Sequence, residues 1–177
     1  VKTECENELK VLGRELKIPK LPLKRVTYTQ AIEMLKKNKE KIEWGEDFSK
    51  TQEKLLTKLL GVHTYFVKDW PTAIKAFYAF PYEDNPKICK AFDLIYDGIE
   101  ICSGTQRIHI PELLIKQLKA KGLNPDNFKS YIDGFRYGAP YHSGWSIGLE
   151  RLTMTICNRN NIREVTMFPR DRTRITP

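Results

Sequence analysis

The sequence predicts an α+β fold in which an antiparallel β-sheet is flanked by helices. Apolar residues recur at helical spacing over residues 1–61, whereas residues 62–177 open with runs of β-branched and aromatic residues. At 177 residues, 41% of them hydrophobic, the chain has the size of one domain with its own core. We therefore expect one domain with a helical segment, residues 1–61, and a sheet-bearing segment, residues 62–177.

Three helices are predicted in the helical segment. The first, residues 6–16, carries leucines three and four positions apart. The second, residues 28–38, follows Thr27, whose hydroxyl suits an N-cap. The third, residues 49–60, opens with a Ser-x-x-Gln capping-box pattern and stops at Gly61.

Four strands are predicted next, over residues 64–68, 74–80, 90–96 and 99–108. The dipeptide Asp97-Gly98 lies between the last two and favours a type I′ turn, because both central residues of that turn need positive φ. We therefore expect a hairpin in which Tyr96 faces Ile99, Ile95 faces Glu100 and Asp93 faces Cys102.

Helices return in the last third of the chain. Pro111 suits the first turn of a helix over residues 111–120, and a further helix is predicted over residues 125–135. The run Gly-Trp-Ser-Ile-Gly-Leu-Glu-Arg, residues 144–151, predicts a strand-to-helix element whose helix covers residues 149–158.

The charge indicates an anionic partner. Thirty Lys and Arg residues against 22 Asp and Glu give a formal charge of +8, which suits nucleic acid or a nucleotide. The alternative is that the lysines, many of them in residues 36–41 and 116–121, only keep helical surfaces soluble.

Cysteine usage and hydropathy indicate a cytoplasmic protein. The four cysteines form no Cys-x-x-Cys pair, so neither a zinc site nor a disulfide framework is predicted, and free thiols suit a reducing compartment. No apolar run reaches the roughly 18 residues of a membrane span, so no membrane partner is expected. The chain begins with Val1 rather than Met, from which we expect a true start upstream.

The glycine-containing run is a candidate polyphosphate site. Free N–H groups at a helix start favour anions, and Arg151 in the first turn can grip phosphate oxygens in a bidentate way. The alternative is a turn and a close packing contact that needs small residues.

Two carboxylates on the predicted hairpin are candidate cation ligands. Asp93 and Glu100 share one face in the expected register, close enough to hold one Mg²⁺ through oxygens or waters. The alternative is a solvated sheet face that carries both acids.

Ser103-Gly104 is a candidate β-bulge, which would turn Arg107 to the same face as the carboxylates. Such a wall of two acids, a serine and an arginine would bind a metal-chelated phosphate and a carboxylate ligand together. The alternative for Arg107 is an ion pair within the sheet. His142, in the loop before the glycine-containing run, is placed either to touch a substrate carboxylate or phosphate or to make a plain loop hydrogen bond.

Three strings together resemble the C-terminal half of the catalytic domain of aspartyl-tRNA synthetases of the archaeal and eukaryotic cytosolic type. They are FDLIYDGIEICSGTQRIH (92–109), FRYGAPYHSGWSIGLERL (135–152) and NIREVTMFPRDRTRITP (161–177). The resemblance extends to VKDWPTAIKAFYAF and EDNPK and is thinner over the first 60 residues. It implies a class II synthetase core, an antiparallel sheet flanked by helices, that activates L-aspartate with Mg-ATP and transfers it to tRNA(Asp), as a homodimer at full length.

The resemblance also implies roles for residues that match the family's motifs. Asp93, Glu100 and Ser103 match the Mg²⁺ site, and Arg107 matches the arginine that reads the aspartate side chain. The implied ATP contacts are Glu100, Ser103, Gly144, Ile147, Gly148 and Arg151; the implied aspartate contacts are Ser103, Arg107 and His142; the implied catalytic residues are Arg151 and Glu100.

The chain departs from the family pattern at several points. Ser146 stands where a glycine is usual in the third motif, and Cys102 where a serine is common. The sequence shows no anticodon-binding barrel, no first motif and no Phe-Arg-x-Glu of the second motif, whose arginine contacts the α-phosphate. We therefore expect that this chain by itself does not form aspartyl-adenylate at a useful rate. The alternatives are a paralogue that amidates aspartate to asparagine and a non-catalytic binding or regulatory module.

Overall fold

Five strands form one sheet in the order β1-β2-β3-β4-β5 in this computed structural model, which describes residues 1–176. They are β1 Lys24–Thr27, β2 Thr64–Pro71, β3 Ile88–Tyr96, β4 Ile99–Arg107 and β5 His142–Ile147. Neighbours pair antiparallel except β1 and β2, which are parallel. The predicted α+β fold is confirmed, and β1 is a parallel strand that the sequence analysis did not predict. Pro177, the end of predicted segment 62–177, lies outside the described residues.

Within residues 1–176, six α-helices accompany the sheet. They are α1 Glu6–Val11, α2 Tyr28–Lys37, α3 Lys50–Leu60, α4 Pro111–Ala120, α5 Lys129–Arg136 and α6 Leu149–Ile156, with short 3₁₀ helices at Pro125–Phe128 and Ile162–Glu164. Both predicted N-caps form complete capping boxes, Thr27 with Gln30 and Ser49 with Gln52. Gly61 ends α3 in the left-handed region, at φ 65°.

Three helical predictions are wrong at their boundaries. Helix α1 stops at Val11 rather than residue 16, because Gly13 turns the chain at φ 59°. The helix predicted over residues 125–135 is divided at Phe128 into a 3₁₀ turn and α5. Helix α6 ends at Ile156, two residues before the predicted end.

The strand predicted over residues 74–80 is wrong, since this segment is a series of turns with one isolated bridge between Ala79 and Arg107. Its aromatic residues looked like a strand. They instead form an apolar cluster together with side chains of α4 and α5. In this cluster the centres of the Phe77 and Phe128 rings lie 5.3 Å apart. The segment crosses the end of β4, where the Ile108 N–H donates to the Tyr78 carbonyl at 2.9 Å.

The core lies mainly between one face of β1–β3 and the helices α2 and α3. Its fully buried side chains include Tyr28, Leu35, Leu56, Tyr65 and Val67. Helices α4 and α5 bury a second cluster with Phe80 and Ile108, and α6 packs Leu152 on the β3–β4 hairpin. The face of β4 and β5 beside α3 is thereby left accessible.

The four cysteines are free thiols, as predicted. Within residues 1–176, no helix combines the length and apolarity needed to cross a membrane.

Candidate functional site

The β3–β4 hairpin is built on the predicted turn. Asp97 and Gly98 have φ angles of 48° and 74°, as a type I′ turn requires. The first two pairs of the ladder, Tyr96 with Ile99 and Ile95 with Glu100, are also the predicted ones.

The bulge in β4 lies earlier than predicted. The pair after Ile95 and Glu100 is Leu94 with Cys102, so Ile101 is the extra residue of a β-bulge. The predicted bulge at residues 103–104 is therefore wrong, and Asp93 faces Ser103 rather than Cys102. Both side chains of the Ile101-Cys102 pair are buried, so the core at the hairpin takes two consecutive residues.

Although the bulge lies at a different residue, it still brings the predicted site residues of β3 and β4 to one face of the sheet. Directly paired residues and residues two apart share a face, so Asp93, Glu100, Ser103 and Arg107 lie on one side of the sheet. We call this side the site face. Strand β5 adds His142, Gly144 and Ser146 to it, through their pairs with β4.

A small cavity of about 160 Å³ lies on the site face over β4 and β5, with Ser103, Arg107 and Lys75 in its wall. The Arg107 guanidinium carbon lies 5.2 Å from the centre of the Tyr78 ring, and its Nε is buried without a hydrogen-bond partner. A Cβ on Gly144 would lie 2.6 Å from the Arg107 guanidinium, so this glycine makes room for the arginine. The cavity therefore presents the Arg107 guanidinium to a small ligand, with Lys75 as a second positively charged residue in its wall.

Lys75 was not predicted from the sequence. It lies in the segment mistaken for a strand, where a single lysine among aromatic residues carried no recognisable signal. Its Nζ lies 2.5 Å from Asp93 Oδ2 and 3.9 Å from the centre of the Trp70 ring. Lys75 thus links the small cavity to the buried carboxylate of Asp93.

Asp93 is 2% exposed, and its second carboxylate oxygen, Oδ1, is buried with no hydrogen-bond partner. A buried carboxylate oxygen without a partner is costly unless a ligand satisfies it.

Glu100 and Arg151 meet at the other end of the site face. Arg151 Nη1 donates to the Glu100 carbonyl at 2.9 Å and lies 3.5 Å from Glu100 Oε2. Burial raises the pKa of the Glu100 carboxyl, and Asp93 raises it further, while Arg151 opposes both. Gly148 is the N-cap of α6, and its N–H donates to the Ile101 carbonyl at 3.0 Å. The start of α6 is thus attached to the β4 bulge.

A larger cavity of about 580 Å³ borders this pair, and α3 contributes Lys50, Lys54 and Glu53 to it. Burial, and next the charge of Glu100, raise the pKa of Glu53 to about 7, against the opposing charge of Arg151. Sequence reasoning missed Glu53, because it occupies an ordinary polar position of an amphipathic helix. Both cavities border the site face, and Asp93 interacts with a residue of each. It forms an ion pair with Lys75 of the small cavity, and its charge raises the pKa of Glu100 in the larger cavity.

Two predicted site residues are placed differently from the rest. Ile147 pairs with Cys102, so its side chain lies on the opposite face of the sheet and does not meet the other predicted ATP contacts. His142 lies on the site face opposite Arg107, where its Nδ1 is 3.0 Å from the Pro140 carbonyl and its ring stacks on Phe135 at 5.9 Å. His142 thus opens β5 instead of lying in the loop before it, because it pairs with Arg107. The plain hydrogen bond is present, and the substrate contact remains a prediction.

The oxygen donors of Asp93, Glu100 and Ser103 fit a hard divalent cation. The unpartnered Asp93 Oδ1 supplies a ligand atom in need of a partner, and the raised pKa of Glu100 shows a carboxylate that a nearby cation would stabilise. Residues 1–176 contain no group of three His, Cys, Asp or Glu side chains arranged for a metal ion, so water or a ligand would complete the coordination.

Comparison with known proteins identifies a family model and curated relatives that match this chain. The family model for tRNA synthetases class II (D, K and N) matches residues 1–172. An aspartate–tRNA(Asp/Asn) ligase of Methanococcus aeolicus is 49% identical over 172 residues, which cover 97% of this chain and 39% of that protein. An aspartate–tRNA(Asp) ligase of Pyrococcus furiosus is 49% identical over 181 residues, covering 100% and 41%. The chain thus spans about two fifths of the length of these curated relatives.

Solved structures of similar proteins share the fold of this chain. An aspartyl tRNA synthetase from Entamoeba histolytica superposes with a TM-score of 0.94 at 40% identity, covering 100% of this chain and 38% of that one. An asparaginyl-tRNA synthetase from the same organism, in complex with asparaginyl-adenylate, has a TM-score of 0.89 at 33% identity, covering 99% and 41%.

Proposed function

The chain belongs to the class II tRNA synthetases of the D, K and N group, and we propose that it supplies the later half of the active site of an aspartate–tRNA ligase. That enzyme activates L-aspartate with Mg-ATP to aspartyl-adenylate and transfers the aspartyl group to tRNA(Asp). The observation that carries the proposal is the site face, on which the Ile101 bulge aligns Asp93, Glu100, Ser103 and Arg107.

The small cavity suits aspartate. Arg107 offers a planar fork that matches a carboxylate, and Lys75 offers a second cation on the same wall. An asparagine side chain would leave the half-buried Arg107 guanidinium without an opposite charge, which favours aspartate over its amide. Ser103 and His142 border the same ligand from β4 and β5.

The larger cavity suits the polyphosphate of ATP. Arg151 lies in the first turn of α6, and Lys50 and Lys54 face it from α3. Gly144, Gly148 and the backbone at Ile147 let the nucleotide approach the sheet and the helix start. Asp93, Glu100 and Ser103 would hold Mg²⁺, which when bound neutralises phosphate charge. Arg151 stabilises charge that develops on the phosphates during adenylate formation, which is why it and Glu100 are the catalytic residues of the proposal.

The remaining partners follow from the same proposal. The formal charge of +8 suits contact with tRNA. Relatives carry names that specify tRNA(Asp) or tRNA(Asp/Asn). We propose tRNA(Asp) as the substrate, a homodimer as the full-length assembly and the cytoplasm as the compartment.

The test is aspartate-dependent ATP–pyrophosphate exchange by this chain combined with the other three fifths of a ligase polypeptide. We expect Arg107→Ala to raise the half-saturating aspartate concentration, and Arg151→Ala that of ATP, each by about 10- to 100-fold, since each variant loses a charge-assisted fork. Arg136→Ala, which removes an exposed ion pair with Asp133 on α5, is the matched control and should leave both unchanged. Exchange that resists both site substitutions would refute the proposal.

A further inference from the structure

Arg14 makes three long-range contacts at one point of the molecule. Its Nε donates to the Ile156 carbonyl at 3.2 Å, and one Nη donates to the Thr155 carbonyl at 3.3 Å and to Asp97 Oδ2 at 3.0 Å. Its side chain is 18% exposed, unlike the surface ion pairs of the chain. One guanidinium thus joins the end of α6 to the tip of the β3–β4 hairpin.

Asp97 is held in place for this contact. Its other carboxylate oxygen lies 2.7 Å from His63 Nδ1, and its N–H donates to the His63 carbonyl at 2.8 Å. The positive φ of Asp97 is part of the hairpin turn itself. The acceptor for Arg14 is therefore fixed by the same residues that form the turn.

Helix α6 is attached to the hairpin at both ends. At its start, the Gly148 N–H donates to the Ile101 carbonyl, and Arg151 donates to the Glu100 carbonyl. At its end, Arg14 donates to the last two carbonyls of α6, those of Thr155 and Ile156, where a cation also meets the negative end of the helix dipole. An eight-residue helix is marginal by itself, so these attachments decide where it lies.

We propose that Arg14 is a positioning residue for Arg151. By clamping the last turn of α6 to Asp97, it fixes the axis of the short helix that carries Arg151 and so the direction of the Arg151 guanidinium over Glu100. The inference rests on the proposed function, because the ligand of Arg151 is taken to be the phosphate chain of Mg-ATP. Aspartate is proposed to bind in the small cavity over β4 and β5, so its affinity should not depend on the contacts of Arg14.

The experiment measures amide hydrogen exchange and equilibrium binding of Mg-ATP and of L-aspartate, each ligand alone, by the 177-residue chain combined with the other three fifths of a ligase polypeptide. The variants are Arg14→Met, which removes the guanidinium, and Arg14→Lys, which keeps the charge but not the fork. Lys10→Met, at an exposed ion pair with Glu6, controls for loss of one positive charge near α1.

For Arg14→Met we expect at least tenfold faster exchange of the amides of residues 152–159, with the amides of α2 unchanged. The Kd for Mg-ATP should rise at least fivefold, and the Kd for aspartate should stay constant. Arg14→Lys should give intermediate values, because its single ammonium can hold Asp97 or the carbonyls but not all three contacts.

The outcomes separate the two proposals. If the parent chain binds aspartate but no Mg-ATP, the proposed nucleotide site fails and so does the positioning role assigned to Arg14. If the parent binds Mg-ATP and Arg14→Met changes neither exchange in α6 nor the Kd, the clamp is refuted. Faster exchange in α6 with an unchanged Kd for Mg-ATP would show a purely structural contact and would also overturn the inference.

Discussion

At position 144 only a glycine fits without conflict, because the Arg107 guanidinium occupies the space where a Cβ would stand. The atoms in the way belong to the end of a flexible side chain, so an added methyl group would displace the arginine rather than the backbone. The residue thus controls the direction of Arg107, besides any contact with the nucleotide that we propose for it.

Gly144→Ala should therefore weaken aspartate binding with little loss of stability. We expect the Kd for L-aspartate, measured by calorimetry, to rise about tenfold, as expected for loss of one charge-assisted hydrogen bond. The free energy of unfolding should fall by less than about 1 kcal/mol.

Gly134→Ala is the matched control, since a Cβ at this position of α5 would meet no atom within 4 Å. It should leave aspartate binding unchanged and raise helix stability slightly. Unaltered aspartate affinity in Gly144→Ala would contradict the spatial conflict with Arg107.

At the scale of the secondary-structure elements, α3 brings the carboxyl group of Glu53 against Glu100 at the start of β4. The pKa of Glu53 is raised from 4.5 to about 7, chiefly by burial, so the folded chain holds a proton that the unfolded chain releases. A carboxyl group of this kind makes the fold less stable as pH rises from about 4.5 to about 7, and the loss persists at higher pH.

Glu53→Gln should consequently stabilise the chain at pH 8 and have little effect at about pH 3, below both pKa values, where the carboxyl is protonated in both states. We expect a gain of about 1 kcal/mol at pH 8, well below the full linkage value because the side chain is partly solvated. Urea unfolding at the two pH values in EDTA measures this difference. Glu33→Gln, at an exposed position of α2, is the control for loss of one carboxylate. An equal gain at both pH values for Glu53→Gln would rule out titration as the cause.

The elements also show what sequence could and could not predict. Local chemistry determined the N-cap at Thr27, the capping box at Ser49 and the turn at Asp97-Gly98, and each was predicted correctly. The bulge at Ile101 depends on two consecutive residues being drawn into the core beneath α6, which no local pattern reports. The false strand at residues 74–80 has the same cause, because its aromatic residues pack against α4 and α5, helices distant in sequence.

The candidate site also divides into residues predictable from local sequence and residues that only tertiary packing brings together. Asp93, Glu100, Ser103 and Arg107 were placed on one face from strand periodicity and one bulge, and the wrong bulge position did not alter the parity. Lys75 and Glu53 were missed because each enters from a different segment, and only tertiary packing brings them to the site face.

At the scale of the whole molecule, our proposal assigns one wall of a site to this chain. Residues 1–176 place two cavities on the site face, but the sequence offers no second-motif arginine for the α-phosphate. Electrostatic stabilisation of the transferring phosphate is usually the largest catalytic contribution.

The isolated chain should therefore catalyse aspartate-dependent ATP–pyrophosphate exchange at least about 100-fold more slowly than the chain combined with the rest of a ligase polypeptide. Exchange measured before and after mixing the two parts decides this. Full exchange by the 177-residue chain alone would show that its own residues complete the site.

The two edges of the sheet differ in what they can accept. Strand β1 has only four residues, and its last, Thr27, is already the N-cap of α2, so the chain leaves the sheet plane at once. Short edge strands of this kind resist the addition of another strand. At the other edge, β5 runs for six residues without a proline and carries Trp145, which is 66% exposed. We therefore expect any further strand, from the same polypeptide or from an aggregating neighbour, to join this sheet at β5, and expect that edge to limit the solubility of the isolated chain.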